Sequence, residues 1–120
     1  MPHIRLEYTD NIYVHELNIL FKDIQNILIK IAEVKSENCK SRAISLDSSE
    51  IISDGKNVRF VHLEINILEG RTTEIKKQIG KESLNLLKSH FNNDMNGNLI
   101  QHSVEIREMK HSDYFTSNTL

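Results

Sequence analysis

The sequence predicts an α/β (α+β) fold with the order β-α-β-β-α-β, in which four strands form one sheet and two helices lie on one of its faces. Three observations lead there. Residues 3–8 and 57–68 alternate apolar and polar side chains, the period of a strand with one buried face. Residues 13–34 and 73–93 instead repeat apolar residues at steps of three and four, which places them along one face of a helix. Breaks rich in Asn, Asp and Gly separate these runs, at Asp54-Gly55, at Gly70 and across 92–98.

Taken in order, Ile4, Leu6 and Tyr8 of the first strand alternate with His3, Arg5 and Glu7, and Thr9-Asp10-Asn11 is a turn with capping side chains. The first helix is expected over Tyr13 to Val34, with Leu17, Leu20, Phe21, Ile24, Leu28 and Ile31 on its buried face. Lys35 to Asn38 ends it. Ser41 to Leu46 reads as the second strand, with Ile44 and Leu46 inward and Arg42 at its entry. The stretch 47–56 reads as a surface excursion, a short hairpin or loop turning at Asp54-Gly55.

Asn57 to Leu68 is the clearest strand: Val61, Leu63, Ile65 and Ile67 share one face, and Phe60, His62, Glu64 and Asn66 share the other. Gly70-Arg71-Thr72-Thr73 turns the chain, with Thr72 a cap for a second helix to about Asn93 that presents Ile75, Ile79, Leu84, Leu87 and Phe91. Leu99 to Arg107 is the fourth strand, with Ile100, Val104 and Ile106 on one side. From Glu108 to Leu120 the chain reads as a polar tail that Tyr114 and Phe115 would anchor, so that 1–120 form one domain. Two helices cover only one face of such a sheet, so the face bearing Phe60 and His62 is expected to meet another copy of the chain.

Composition narrows the function classes. At 38% hydrophobic and 27% charged residues, with net charge −2, the chain is expected to be a soluble globular protein without a nucleic-acid or membrane partner. The longest apolar runs fall far short of the roughly 18 residues of a membrane span, and a cytoplasmic location is expected. Cys39, the only cysteine, excludes an internal disulfide. His62-Leu63-Glu64 imitates the His-x-Glu of zinc deaminases, but no Cys-x-x-Cys accompanies it, so no metal site is expected. Nor is there a glycine-rich phosphate loop or a nucleophile elbow.

The only proline stands at position 2. If Met1 is removed, Pro2 becomes a free secondary amine at the tip of a strand, and desolvation near cations would lower its pKa toward the value a general base needs. Arg71, at a strand-to-helix turn, has the planar fork that pairs with carboxylates; by itself it reads better as a solvated loop charge. Lys40 and Arg42 flank Ser41 and point the same way from a strand, so both suit one anion. His3 and His62 are auxiliary candidates, although strand histidines more often have structural roles.

Pro2-His3-Ile4 with Glu7, Asp10-Asn11-Ile12, Phe60-Val61-His62, Gly70-Arg71 and Lys88-Ser89-His90-Phe91 occur in this order and at these intervals. From Pro2 to about Arg107 the chain thereby resembles the 5-carboxymethyl-2-hydroxymuconate isomerases of the tautomerase superfamily. The resemblance implies a homotrimer with its sheets facing inward and a cofactor-independent isomerase of aromatic (homoprotocatechuate) catabolism. It further implies that Pro2 moves a proton from the 2-hydroxyl of 5-carboxymethyl-2-hydroxymuconate to C5, while Arg71, Arg42 and Lys40 hold the carboxylates of this small polycarboxylate.

One departure matters. Where the family usually offers two arginines, this chain has Lys40 before Arg42, which keeps the charge but loses a planar fork. Two alternatives therefore stay open: a tautomerase of another small 2-oxo acid, or a non-catalytic oligomer of the same fold. The second would follow if Met1 stays in place, because an acylated prolyl nitrogen has no basic lone pair.

Overall fold

A computed structural model describes residues 2–54, 56–92 and 99–117. The alternation in the first strand, β1 (His3–Thr9), buries Ile4 and Leu6 completely and leaves His3, Arg5 and Glu7 on the opposite face. The chain then passes Ile12 and enters helix α1 (Leu17–Ala32), whose Leu20, Ile24 and Leu28 recur every four residues and are fully buried. A single helical turn at Ser36–Asn38 leads into β2 (Lys40–Leu46), which pairs in parallel with β1.

The excursion contains a hairpin of two-residue strands, β3 (Ile52–Ser53) and β4 (Lys56–Asn57), as one of its two readings anticipates. Next come β5 (Phe60–Leu68), helix α2 (Thr73–His90) and β6 (Gln101–Met109). The sheet order is β2-β1-β5-β6, with β1 and β5 antiparallel and the two outer pairs parallel. Each outer strand thus returns through a helix, so both helices pack on one face. Val61, Leu63, Ile65 and Ile67 form the centre of the core beneath them, each at most 1% exposed. The expected β-α-β-β-α-β architecture is present. Among the described residues, no helix is long and apolar enough to cross a membrane.

Several boundaries shift for identifiable reasons. Tyr13 does not join α1: it is 79% exposed, and Glu16 takes a left-handed conformation (φ 48°) before the helix begins. Glu33 is left-handed as well (φ 56°), and its N–H returns to the Leu28 carbonyl, which ends α1 before Val34. Thr72 caps α2 as expected, its side chain accepting from the Ile75 N–H. In α2 the buried position between Ile79 and Leu87 belongs to Ser83, while Leu84 is only partly covered. The helix stops at His90; of the expected break, residues 93–98 lie outside the described residues.

The second strand corrects the sequence reading. In register with β1, Ala43 pairs with Leu6 and faces the helices, so Ile44 and Leu46 lie on the uncovered face rather than inward. The Gln25 side chain donating to Ser41 Oγ at 3.1 Å confirms which face is beneath α1. β6 starts two residues later than expected and continues through Met109, because its ladder follows β5 to Leu68. Of the two tail anchors, Tyr114 is partly covered but Phe115 is 85% exposed and anchors nothing within the protomer.

Truncating Leu63 to Ala is expected to lower unfolding free energy by about 2–5 kcal/mol, whereas Thr72→Ala, which removes one cap, is expected to cost about 1 kcal/mol. Urea denaturation at matched protein concentration separates the two.

Candidate active site

The start of β1 is a buried corner. Pro2 precedes the strand, and its carbonyl accepts the Lys40 N–H at 3.0 Å, the first rung between β1 and β2. This rung brings the segment between α1 and β2 alongside Pro2. The result is a pocket of about 220 Å³ lined by Pro2, Glu33, Val34, Lys35, Asn38, Ile67, Leu68 and Arg71. Pro2 itself is buried. On the far side of Arg71 and Glu33 lies a more open cleft of about 500 Å³ along Ala32, Gly70 and Thr72.

Arg71 is held in place by backbone. Its Nη2 donates to the Ala32 carbonyl at 3.0 Å and its Nη1 to the Leu68 carbonyl at 3.3 Å. Ala32 is the last residue of α1, where the helix presents unsatisfied carbonyls and a partial negative charge that favours a cation. These bonds use two of five guanidinium N–H groups and leave the others for a ligand. Gly70, with φ of 120°, supplies the backbone turn that delivers Arg71 to this place.

The other predicted cations are on the open sheet face instead. Lys40 Nζ turns back to the Glu37 carbonyl at 3.1 Å, and Arg42 Nη1 meets His3 Nδ1 at 3.1 Å. Neither lines the Pro2 pocket within one protomer. His3 also contacts the Tyr114 hydroxyl through Nε2 at 2.8 Å. Burial, then the Arg42 charge beside it, holds the His3 imidazole below its ordinary value of 6.5.

His62 is not brought to Pro2. It stands four residues along β5 from Asn66, the residue that pairs with His3, roughly 13 Å away at strand spacing. Its Nδ1 contacts Ser103 Oγ at 2.6 Å and its Nε2 lies 3.8 Å from Glu105. Potential metal ligands of His62, Glu64 and Glu105 do come within 4.8 Å of one another. Their charge is already balanced by protein: Arg107 Nε lies 3.7 Å from Glu64 and 3.1 Å from Glu105, and Asn66 donates to Glu64 at 2.8 Å. Cys39 is partly buried and burial raises its thiol pKa, which keeps it in the unreactive protonated form.

Lys35 and Asn38 are pocket residues that the sequence reading passed over as helix-ending residues. The usable signal was the parallel β-α-β crossover, since whatever precedes β2 must sit beside whatever precedes β1. A separate cleft of about 460 Å³ at the opposite end of the sheet, among Ile12, Tyr13, His15, Arg59, His90 and Phe91, shares no residue with the Pro2 pocket.

An NMR titration is expected to give His3 a midpoint below 6.5, and Arg42→Ala is expected to move that midpoint upward. The linked stability has a defined sign. Folding favours neutral His3, so its contribution is fully present above pH 6.5 and is lost as pH falls from there through the lower folded-state value.

Known proteins share the sequence pattern and the fold of this chain. Residues 2–120 match the model of the family described as 5-carboxymethyl-2-hydroxymuconate isomerase. The chain is 28% identical over 121 residues to the 5-carboxymethyl-2-hydroxymuconate Delta-isomerase of Escherichia coli, covering 100% of this chain and 96% of that one. The crystal structure of a 5-carboxymethyl-2-hydroxymuconate isomerase from Deinococcus radiodurans R1 superposes with a TM-score of 0.83 at 27% identity, over 97% of this chain and 88% of that one. A symmetric trimer of fused wild-type 4-OT shares the fold, with a TM-score of 0.78 at 13% identity over 98% and 94% of the two chains. By sequence over residues 2–120 and by fold, the chain belongs to the 5-carboxymethyl-2-hydroxymuconate isomerase family and is an isomerase of the tautomerase superfamily.

Proposed function

We propose that the chain catalyses the cofactor-independent conversion of 5-carboxymethyl-2-hydroxymuconate to its 2-oxo-3-ene isomer, in the cytoplasmic breakdown of homoprotocatechuate, with Pro2 as the proton carrier. The observation that carries this is a buried Pro2 sharing one pocket with the fixed guanidinium of Arg71. With Met1 removed, the Pro2 nitrogen takes the proton of the 2-hydroxyl. The O–H electrons form the C2 carbonyl, the double bonds shift to C3–C4, and C5 receives the proton from the Pro2 ammonium.

Fixed positive charge does the rest. Negative charge develops along the dienolate during the transfer, and donors that are already oriented stabilise it without reorganising. Arg71 offers its remaining N–H groups from a frame held by two carbonyls, and Lys35 adds a second cation to the pocket. Lys40 and Arg42 complete the carboxylate set from the open sheet face, where self-association would place them next to a neighbouring copy. A homotrimer that covers this face is part of the proposal, and it predicts a solution mass of three times the 13.9 kDa chain by light scattering.

A smaller 2-oxo acid is the second reading. It is favoured by the pocket volume of about 220 Å³ and by Lys40 turning to a backbone carbonyl. Relative rates on the tricarboxylate and on a monocarboxylate enol decide between the two.

The ultraviolet progress curve for ketonisation, with protein whose intact mass shows Met1 removed, tests the proposal. Turnover well above the uncatalysed rate is expected, and Pro2→Ala should lower kcat by at least about 100-fold, the scale of a lost general acid–base group. Unchanged turnover in Pro2→Ala would remove the mechanism.

A further inference from the structure

The segment after β6 returns to His3 at the start of β1. The His111 N–H donates to Glu69 Oε2 at 2.7 Å, which turns the chain back across the end of the sheet. Tyr114 then arrives at His3, with its hydroxyl 2.8 Å from Nε2 and its ring meeting the imidazole edge-on at 5.9 Å and 70°. On the other side of the imidazole, Arg42 Nη1 lies 3.1 Å from Nδ1.

Chemistry fixes the direction of this line. A guanidinium only donates, so Nδ1 accepts from Arg42 and the neutral ring carries its proton on Nε2. That N–H donates to the Tyr114 oxygen. Three segments distant in sequence, β2, β1 and the tail, are joined through a residue adjacent to Pro2.

We propose that Tyr114 is a positioning residue for substrate binding: by accepting the Nε2–H it holds the His3 ring so that Nδ1 orients the Arg42 guanidinium toward a substrate carboxylate. The inference rests on the reading of Arg42 as a carboxylate-binding group. Arg42 is exposed and carries a long flexible stem, so without a tether its ordering would be charged against binding. Fixing it beforehand lowers KM and leaves the proton transfer at Pro2 alone. Tyr114 touches no reacting atom, and its effect travels only through His3 and Arg42.

A double-mutant cycle on the processed protein tests this, with ketonisation of 5-carboxymethyl-2-hydroxymuconate as readout. Tyr114→Phe keeps the ring and removes one hydroxyl; it is expected to raise KM roughly fivefold, the scale of one lost hydrogen bond, with kcat within about twofold. Once Arg42→Ala is present, adding Tyr114→Phe should raise KM no further, whereas a merely structural role gives additive effects. His3→Ala, which breaks the line at its middle, should likewise make Tyr114→Phe silent. An unchanged KM, additive losses, or a fall in kcat at constant KM would overturn the positioning role in an active enzyme. A wild type that does not accelerate ketonisation would instead overturn the reaction on which it rests.

Discussion

The Arg71 guanidinium is the tie on which this corner of the molecule depends. It bonds the carbonyl that ends α1 and the carbonyl that ends β5, while its own backbone stands just before Thr72, the cap of α2. A helix end that terminates at a left-handed Glu33 leaves carbonyls to satisfy, and a cation there is favoured by both hydrogen bonding and the helix dipole. The same side chain forms a wall of the Pro2 pocket. In the proposed role of Arg71, structure and ligand recognition would not be separable, because the bonds that hold the turn also aim the charge.

The open face of the sheet follows a different logic. Several of its charges are paired, Arg5 with Glu7 at 3.1 Å and Arg107 with both Glu64 and Glu105, while Lys40 and Arg42 meet a backbone carbonyl and His3. Ile44, Leu46, Phe60 and Leu68 share that face with them. Pairs satisfied within one protomer lower the desolvation penalty of covering such a face, since neither partner is left alone when water leaves. A face that mixes these apolar side chains with paired charges can be covered by another copy at less cost than one bearing unpaired charges.

Much of this was legible in the sequence wherever one pattern dominated. β5 and β1 alternate cleanly, and α1 repeats Leu20, Ile24 and Leu28, so their buried faces could be read directly. β2 misled because hydrophobicity and orientation part company there. Its positions beneath α1 are Ser41 and Ala43, both small, while the larger Ile44 and Leu46 face away. The candidate site divides in the same manner. Pro2 and Arg71 were visible as residue types at special positions, but Lys35 and Asn38 reach the pocket through the crossover and Tyr114 reaches His3 through the returning tail, contacts set by register and not by composition.

The pocket's charge balance bears on how a prolyl amine could work in it. Its lining holds two cations, Arg71 and Lys35, and one acid, Glu33, beside the apolar Val34, Ile67 and Leu68. With Met1 removed, desolvation by the apolar wall and repulsion by the part-buried Arg71 would both disfavour an ammonium at Pro2 and so favour its basic, uncharged form. Glu33 and Lys35 carry opposite charges, and both are exposed and screened by water. A substrate carboxylate entering the pocket would neutralise part of the cationic charge and raise the amine pKa again. Binding would thus shift Pro2 in the direction that favours taking the proton, and departure of the product would shift it back.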